Sequence, residues 1–184
     1  MLDEKTISSA QNGADIKIKP TLLLMRHGKS DWSTQADRDF DRTLSDKGHR
    51  DSPRIGQWIR TSQYVPDRII CSPATRARQT AQHICQEIGM SPTHIDSDAR
   101  IYDADLDLLL AVLAEVSVTV ERLMMVGHNP GFSNLLNYLC PENSTGRSMP
   151  TAALAIMTLD NPWTDLNENK GNLLSLILPT QLEH

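Results

Sequence analysis

Four short strand-like segments in this chain each run directly into polar residues able to do chemistry. Thr21 to Met25 leads into Arg26-His27, and Arg68 to Cys71 into Ser72 to Arg76. Asp98 to Tyr102 leads into Asp103, and Leu123 to Val126 into His128-Asn129. Short apolar runs bounded by polar breaks read as buried strands. Helical spacing between them predicts an α/β three-layer sandwich, a mostly parallel central sheet flanked by helices. In open α/β sheets ligands bind beyond the carboxyl ends of the strands. One fold assumption therefore brings all four polar groups to one rim.

The rest of the chain fits this frame in the order β-α-β-α-β-α-β-α-β-β. Residues 28 to 44 are charged, aspartate-rich and aperiodic, and read as a long loop of the kind that often carries function. Ser45 is a good N-cap for a helix to about Arg60, in which Pro53 marks either a kink or a later start. Ser72 as N-cap and Pro73 at the first helical position predict a second helix, ending at Ile88 with Gly89 as its C-cap. Asp105 to Val116 has helical spacing, and Pro130 to Leu139 reads as a short helix. Strands at Ala153 to Leu159 and Leu173 to Leu178 close the chain. Residues 1–19 read as a flexible N-terminal arm and 20–181 as a single domain. Residues 182–184 read as a remnant of a histidine tag, which sets His184 aside.

Bulk properties narrow the function classes. With 39% hydrophobic and 22% charged residues the chain is an ordinary globule. A net charge of -5 disfavours a sequence-independent nucleic-acid binder. No secretory signal is visible, and apolar runs such as Leu108 to Ala114 are too short to span a bilayer, so a cytoplasmic protein without membrane contact is expected. Cys71, Cys85 and Cys140 are odd in number and widely spaced. They read as buried small residues in a reducing compartment, not as a zinc site or disulfide framework.

Arg26-His27-Gly28 places a fork of donors suited to phosphate oxygens beside an imidazole able to attack phosphorus, with a glycine that lets the backbone approach an oxyanion. A histidine at a strand end also serves often as a structural hydrogen-bonding residue. Arg76 falls in the first turn of the second helix, beside free N–H groups, which makes an anion site. The alternative is a solvated arginine, and Arg78, facing elsewhere, reads as one. His128 is a second histidine at the rim. Two histidines could also suggest metal, but no carboxylate, cysteine or third histidine stands at ligand spacing and the neighbours are cationic.

LLLMRHGKSDW, SPATRARQTA and VGHNPG, in that order, resemble the histidine phosphatase superfamily, with its phosphoglycerate mutase-like fold. DFDRTLSDKG, IYDAD and PTAALA are similar to its SixA-type phosphohistidine phosphatase branch. The resemblance spans about residues 20 to 178. It implies His27 as nucleophile, with Arg26, Arg76 and His128 as the phosphate pocket and no cofactor or metal. Asp103 stands where relatives often carry a glutamate acid, and is one methylene shorter. Asp31 is the rival acid, and either aspartate reads equally as a loop or capping residue. The implied reaction passes through a phosphohistidine enzyme, with His27 kept neutral by nearby positive charge.

Three functions stay open: a phosphatase for a phosphohistidine-bearing signalling protein, one for small phosphomonoesters, and a phosphate-binding module without catalysis. Only 24 residues separate Asp103 from His128, too few for the lid insertion of small-substrate relatives. That favours the first. Phosphate or sulfate is expected in the pocket.

Overall fold

A computed structural model describes residues 19–33, 38–141 and 146–182. The strands are β1 (Thr21–Arg26), β2 (Arg68–Cys71), β3 (Ile95–Ser97), β4 (Arg122–Gly127), β5 (Leu154–Leu159) and β6 (Gly171–Ile177). The helices are α1 (Asp46–Thr61), α2 (Thr75–Ile88), α3 (Leu106–Ala114) and α4 (Gly131–Leu139). The strands join one sheet in the order β3-β2-β4-β1-β5-β6. Neighbours from β3 to β1 pair in parallel, and β5 runs antiparallel to both β1 and β6. The sheet is thus mostly parallel, as expected.

Both sheet faces are covered, which is why β1 and β4 read as unbroken apolar runs. Side chains alternate across the pleat. Leu22 and Leu24 join Leu109, Leu113, Phe132 and Leu135 of α3 and α4 on one side. Leu23 and Met25 join Ile55, Ile59, Ala81 and Ile84 of α1 and α2 on the other. The three layers follow from that alternation. Register then sets the functional rim: Arg26 lies opposite Gly127, and Cys71 opposite Val126. His27, Ser72 and His128 consequently leave the sheet side by side.

Several boundaries differ from expectation. Ser45 caps α1 through the Gly48 N–H at 3.4 Å, and the helix continues through Pro53, so Pro53 does not mark a later start. The third strand lies at Ile95–Ser97 and not at Asp98 to Tyr102. Asp98 instead accepts a hydrogen bond from the Arg100 N–H at 2.9 Å and starts a 3₁₀ turn, Ala99–Ile101. A short side chain offering its own backbone partner competes with the strand ladder. α2 starts at Thr75 with Ala74 as an uncapped N-cap, so Ser72 and Pro73 stand before it. Gly89 ends that helix at φ +72°, as expected.

All three cysteines are free and buried, and Arg78 is exposed. The arm assigned to residues 1–19 falls, except for Lys19, outside the described residues; Lys19 pairs with Asp160 at 2.7 Å. Of the assigned tag remnant, Glu183 and His184 also lie outside them. Leu182 packs against the cluster containing Ile55 and Ile59.

Candidate active site

The carboxyl ends of β1, β2 and β4 open onto a cleft of about 360 Å³ lined by Arg26, His27, Arg76, Asp103 and His128, together with Arg42 and Tyr102. His27 is only 7% exposed, so it sits at the floor and not on an open rim. Its Nδ1 lies 2.7 Å from the Gly28 carbonyl, which can only accept. Nδ1 therefore carries the proton, and Nε2 carries the lone pair. Arg76 donates to that lone pair from Nε at 3.3 Å. Burial, with the charges of Arg76, Arg26 and Arg42, lowers the His27 pKa to about 4 against an opposing hydrogen bond to Gly28. Burial leads, where the sequence argued from positive charge. The ring is neutral at pH 7 by either cause.

His128 is also 7% exposed. Its Nδ1 accepts from Arg76 Nη2 at 3.3 Å, so its Nε2 bears the proton and donates to Ser72 Oγ at 2.8 Å. Burial, His27 and Arg76 lower its pKa to about 3. The two imidazole centroids are 5.0 Å apart, and Tyr102 meets His128 edge-on at 5.5 Å. A dianion bound between these rings would favour the imidazolium of His128, whose Nδ1–H could then donate to it.

The guanidiniums divide their work. Arg26 donates to the Met149 carbonyl at 2.8 Å, while its buried Nε has no partner. Buried donors are almost always satisfied, so such an orphan is a place for an anion oxygen. Arg76 also holds Asp39, through the carbonyl at 2.6 Å and Oδ2 at 2.9 Å. Asp39 accepts from Arg42 at 2.6 Å and from the Tyr102 hydroxyl at 3.2 Å. Burial raises the Asp39 pKa, but hydrogen bonds and charge from Arg42 and Arg76 prevail and hold it below the ordinary range.

Gly28 has a packing use as well. A Cβ there would come within 2.8 Å of Ser52 Oγ and 3.2 Å of the Gly48 Cα, so the glycine admits α1 against the nucleophile loop.

The structure brings Arg26, His27, Arg76, Asp103 and His128 into one cleft. Asp103 has φ +53°, uncommon for a residue with a side chain and frequent at functional sites. Asp31 is not among the lining residues. Its Oδ1 accepts from Ser33 N and Oγ, both at 2.7 Å, which hold its carboxyl below the usual range. The sequence reading missed Asp39, Arg42, Tyr102 and Ser72. Ser72 carried a signal, but it was spent on a helix cap. Asp39 and Arg42 stand in the DFDRT run, read as loop charge. Among the described residues, no three of His, Cys, Asp or Glu converge to hold a metal ion. Nor is any described helix long and apolar enough to cross a membrane.

Known proteins resemble this chain in sequence and fold. The sequence profile of the histidine phosphatase superfamily (branch 1) matches residues 22–106, the segment holding Arg26, His27, Arg76 and Asp103. An uncharacterized protein of Mycobacterium tuberculosis is 30% identical over 167 residues, covering 84% of this chain and 99% of that protein. Phosphohistidine phosphatase SixA of Escherichia coli is 29% identical over 145 residues, covering 76% of this chain and 85% of SixA. The solved protein histidine phosphatase SixA complexed with tungstate matches with a TM-score of 0.76 at 24% identity, over 89% of this chain and 99% of that one. At that identity the likeness is one of fold. With a mostly parallel sheet, two strand-end histidines and arginines from β1 and α2, this chain belongs to the histidine phosphatase superfamily, in its SixA-type branch, on the phosphoglycerate mutase-like fold.

Proposed function

We propose that this chain is a phosphatase that hydrolyses phosphohistidine on a signalling protein through a phosphohistidine on His27. The observation that carries the reading is the unprotonated Nε2 of His27, with its lone pair turned to the cleft beside two cations, Arg26 at the end of β1 and Arg76 at the start of α2. Nε2 attacks phosphorus in line, a P–Nε2 bond forms, and the P–N bond of the substrate breaks with its electron pair leaving on the substrate imidazole, which takes a proton. Water then attacks phosphorus, the P–Nε2 bond breaks, and inorganic phosphate departs. Arg26, Arg76 and a protonated His128 stabilise the charge on the equatorial oxygens. None of these steps calls for a metal or cofactor.

The oxyanion held by the SixA structure is tungstate, a stand-in for phosphate. On this reading phosphate or sulfate occupies the space between Arg26, His27, Arg76 and His128, and satisfies Arg26 Nε. The support for a protein substrate is the short stretch between Asp103 and His128, which is taken up by α3, β4 and the turns joining them and holds no further inserted segment. The three free, buried cysteines suit work in the cytoplasm.

A second reading, hydrolysis of small phosphomonoesters, is favoured by one observation: Asp103 lines the cleft, where it could protonate an alkoxide. Side-by-side turnover of a phosphohistidine protein and a panel of phosphomonoesters tests the choice. A higher kcat/KM on the protein is expected. Preference for a small ester would reverse the assignment, and failure to form any phosphoenzyme would reduce the chain to a binding module.

A further inference from the structure

Trp32 is the one tryptophan whose place the packing does not explain. Of the three in the chain, Trp163 is buried and donates from Nε1 to the Val120 carbonyl at 2.8 Å, and Trp58 stacks on Tyr64 at 6.0 Å. Trp32 is 75% exposed and lines the mouth of the catalytic cleft. An exposed indole forfeits a large apolar burial, and such residues are concentrated where a partner covers them.

The indole is held in place. The Arg42 guanidinium stacks on it, 3.6 Å from the ring centroid. Arg42 is itself buried and fixed by Ser30 Oγ at 2.5 Å and Asp39 at 2.6 Å. One face of the ring is thus occupied and the other is presented ready-oriented. The neighbouring Lys29 also lines the mouth, is exposed, and makes no ion pair among the described residues. Its backbone carbonyl is anchored by Ser45.

We propose that Trp32 and Lys29 form the docking contact for the phosphoprotein. They would grip a folded surface that offers an apolar side chain and a carboxylate beside the phosphorylated residue. This inference rests on the protein-phosphatase reading above. A free phosphohistidine fills the phosphate seat but brings no folded surface to the mouth, whereas a folded domain covers it. A pre-oriented aromatic adds affinity at little ordering cost, and an unpaired rim cation adds steering.

The test compares kcat/KM on a histidine-containing phosphotransfer domain, phosphorylated on its histidine, with kcat/KM on free phosphohistidine. For Trp32→Ala the protein-to-small-substrate ratio should fall by about tenfold or more, as for an interface anchor. Trp32→Phe should recover part of it. Lys29→Glu should lower the ratio and flatten its salt dependence. If Trp32→Ala leaves the ratio unchanged, either because both substrates lose alike or because neither does, docking is overturned, and equal losses assign Trp32 to holding Arg42. A wild-type enzyme that turns over the small substrate but ignores the domain overturns the protein-phosphatase reading itself, and docking with it.

Discussion

Arg76 donates from Nε to Nε2 of His27 across 3.3 Å, joining a helix start to a strand end. The same guanidinium holds the Asp39 carbonyl and carboxylate with its two terminal nitrogens. All three nitrogens are used, in a geometry only a planar fork supplies. Arg76→Lys keeps the charge and loses the fork. The rate of phosphoenzyme formation should fall by about 10²–10³, the scale for removing one preorganised oxyanion donor. Rapid-quench labelling measures it, and a loss under threefold would show that charge alone suffices.

The two histidines should separate by the same assay. His27→Ala should remove covalent labelling entirely, because the other unprotonated ring nitrogen at the cleft, Nδ1 of His128, takes up a proton once a dianion is bound. His128→Ala should slow labelling and leave some, since the nucleophile and both arginines remain. A phosphoenzyme in His27→Ala, located by mass spectrometry on another residue, would overturn the nucleophile assignment.

How much of this was legible depended on how local each signal was. β1 and β4 are buried on both faces, so their apolar runs stand out and place His27 and His128 at the rim. β3 is an edge strand with two exposed residues of three, and it left no such run. Ser72 before Pro73 has the local look of a helix cap. Its hydroxyl is instead claimed by His128, 56 positions away. Asp39 meets Arg76 across 37 positions, and nothing in its own neighbourhood announces that contact. Propensity and pattern report local preference, and these pairings are set by tertiary packing.

That long-range pairing of Ser72 can be tested directly. Ser72→Ala leaves the buried Nε2–H of His128 without an acceptor, at a cost of about 1–3 kcal/mol in stability. It also frees the imidazole to change tautomer. Nitrogen NMR should show the Nε2-protonated form of His128 in the parent and a mixture in the variant, with turnover lowered several-fold. An unchanged tautomer and rate would make Ser72 a packing residue only.

Both active-site imidazoles resist protonation, with pKa values near 4 for His27 and 3 for His128 against an ordinary 6.5. The unfolded chain therefore takes up protons that the folded chain refuses as pH falls below 6.5. Stability should decline from there toward about pH 4, by up to about 1.4 kcal/mol per pH unit for each ring. Urea unfolding at pH 7 and 4.5 should show the loss, and His128→Gln should shrink it. Histidine NMR should find both rings neutral at pH 5.5, and vanadate should raise the His128 midpoint. A midpoint near 6.5 for either ring without ligand would contradict the burial argument.

Asp103 decides between leaving groups. An alkoxide leaves poorly and needs a proton as the P–O bond breaks, so a general acid is worth about 10²–10⁴ in rate. The imidazole of a phosphohistidine leaves far more readily, and its second nitrogen can already carry a proton. Asp103 lines the cleft with a left-handed backbone, whereas Asp31 spends its carboxylate on Ser33. Asp103→Asn should therefore slow alkyl phosphomonoesters strongly and phosphohistidine much less, while Asp31→Asn leaves the ratio of the two rates unchanged. Equal losses on both substrates would make Asp103 structural. A selective loss with Asp31→Asn would move the acid there, although in its present conformation Oδ1 of that carboxylate is held by Ser33 and Asp31 does not line the cleft.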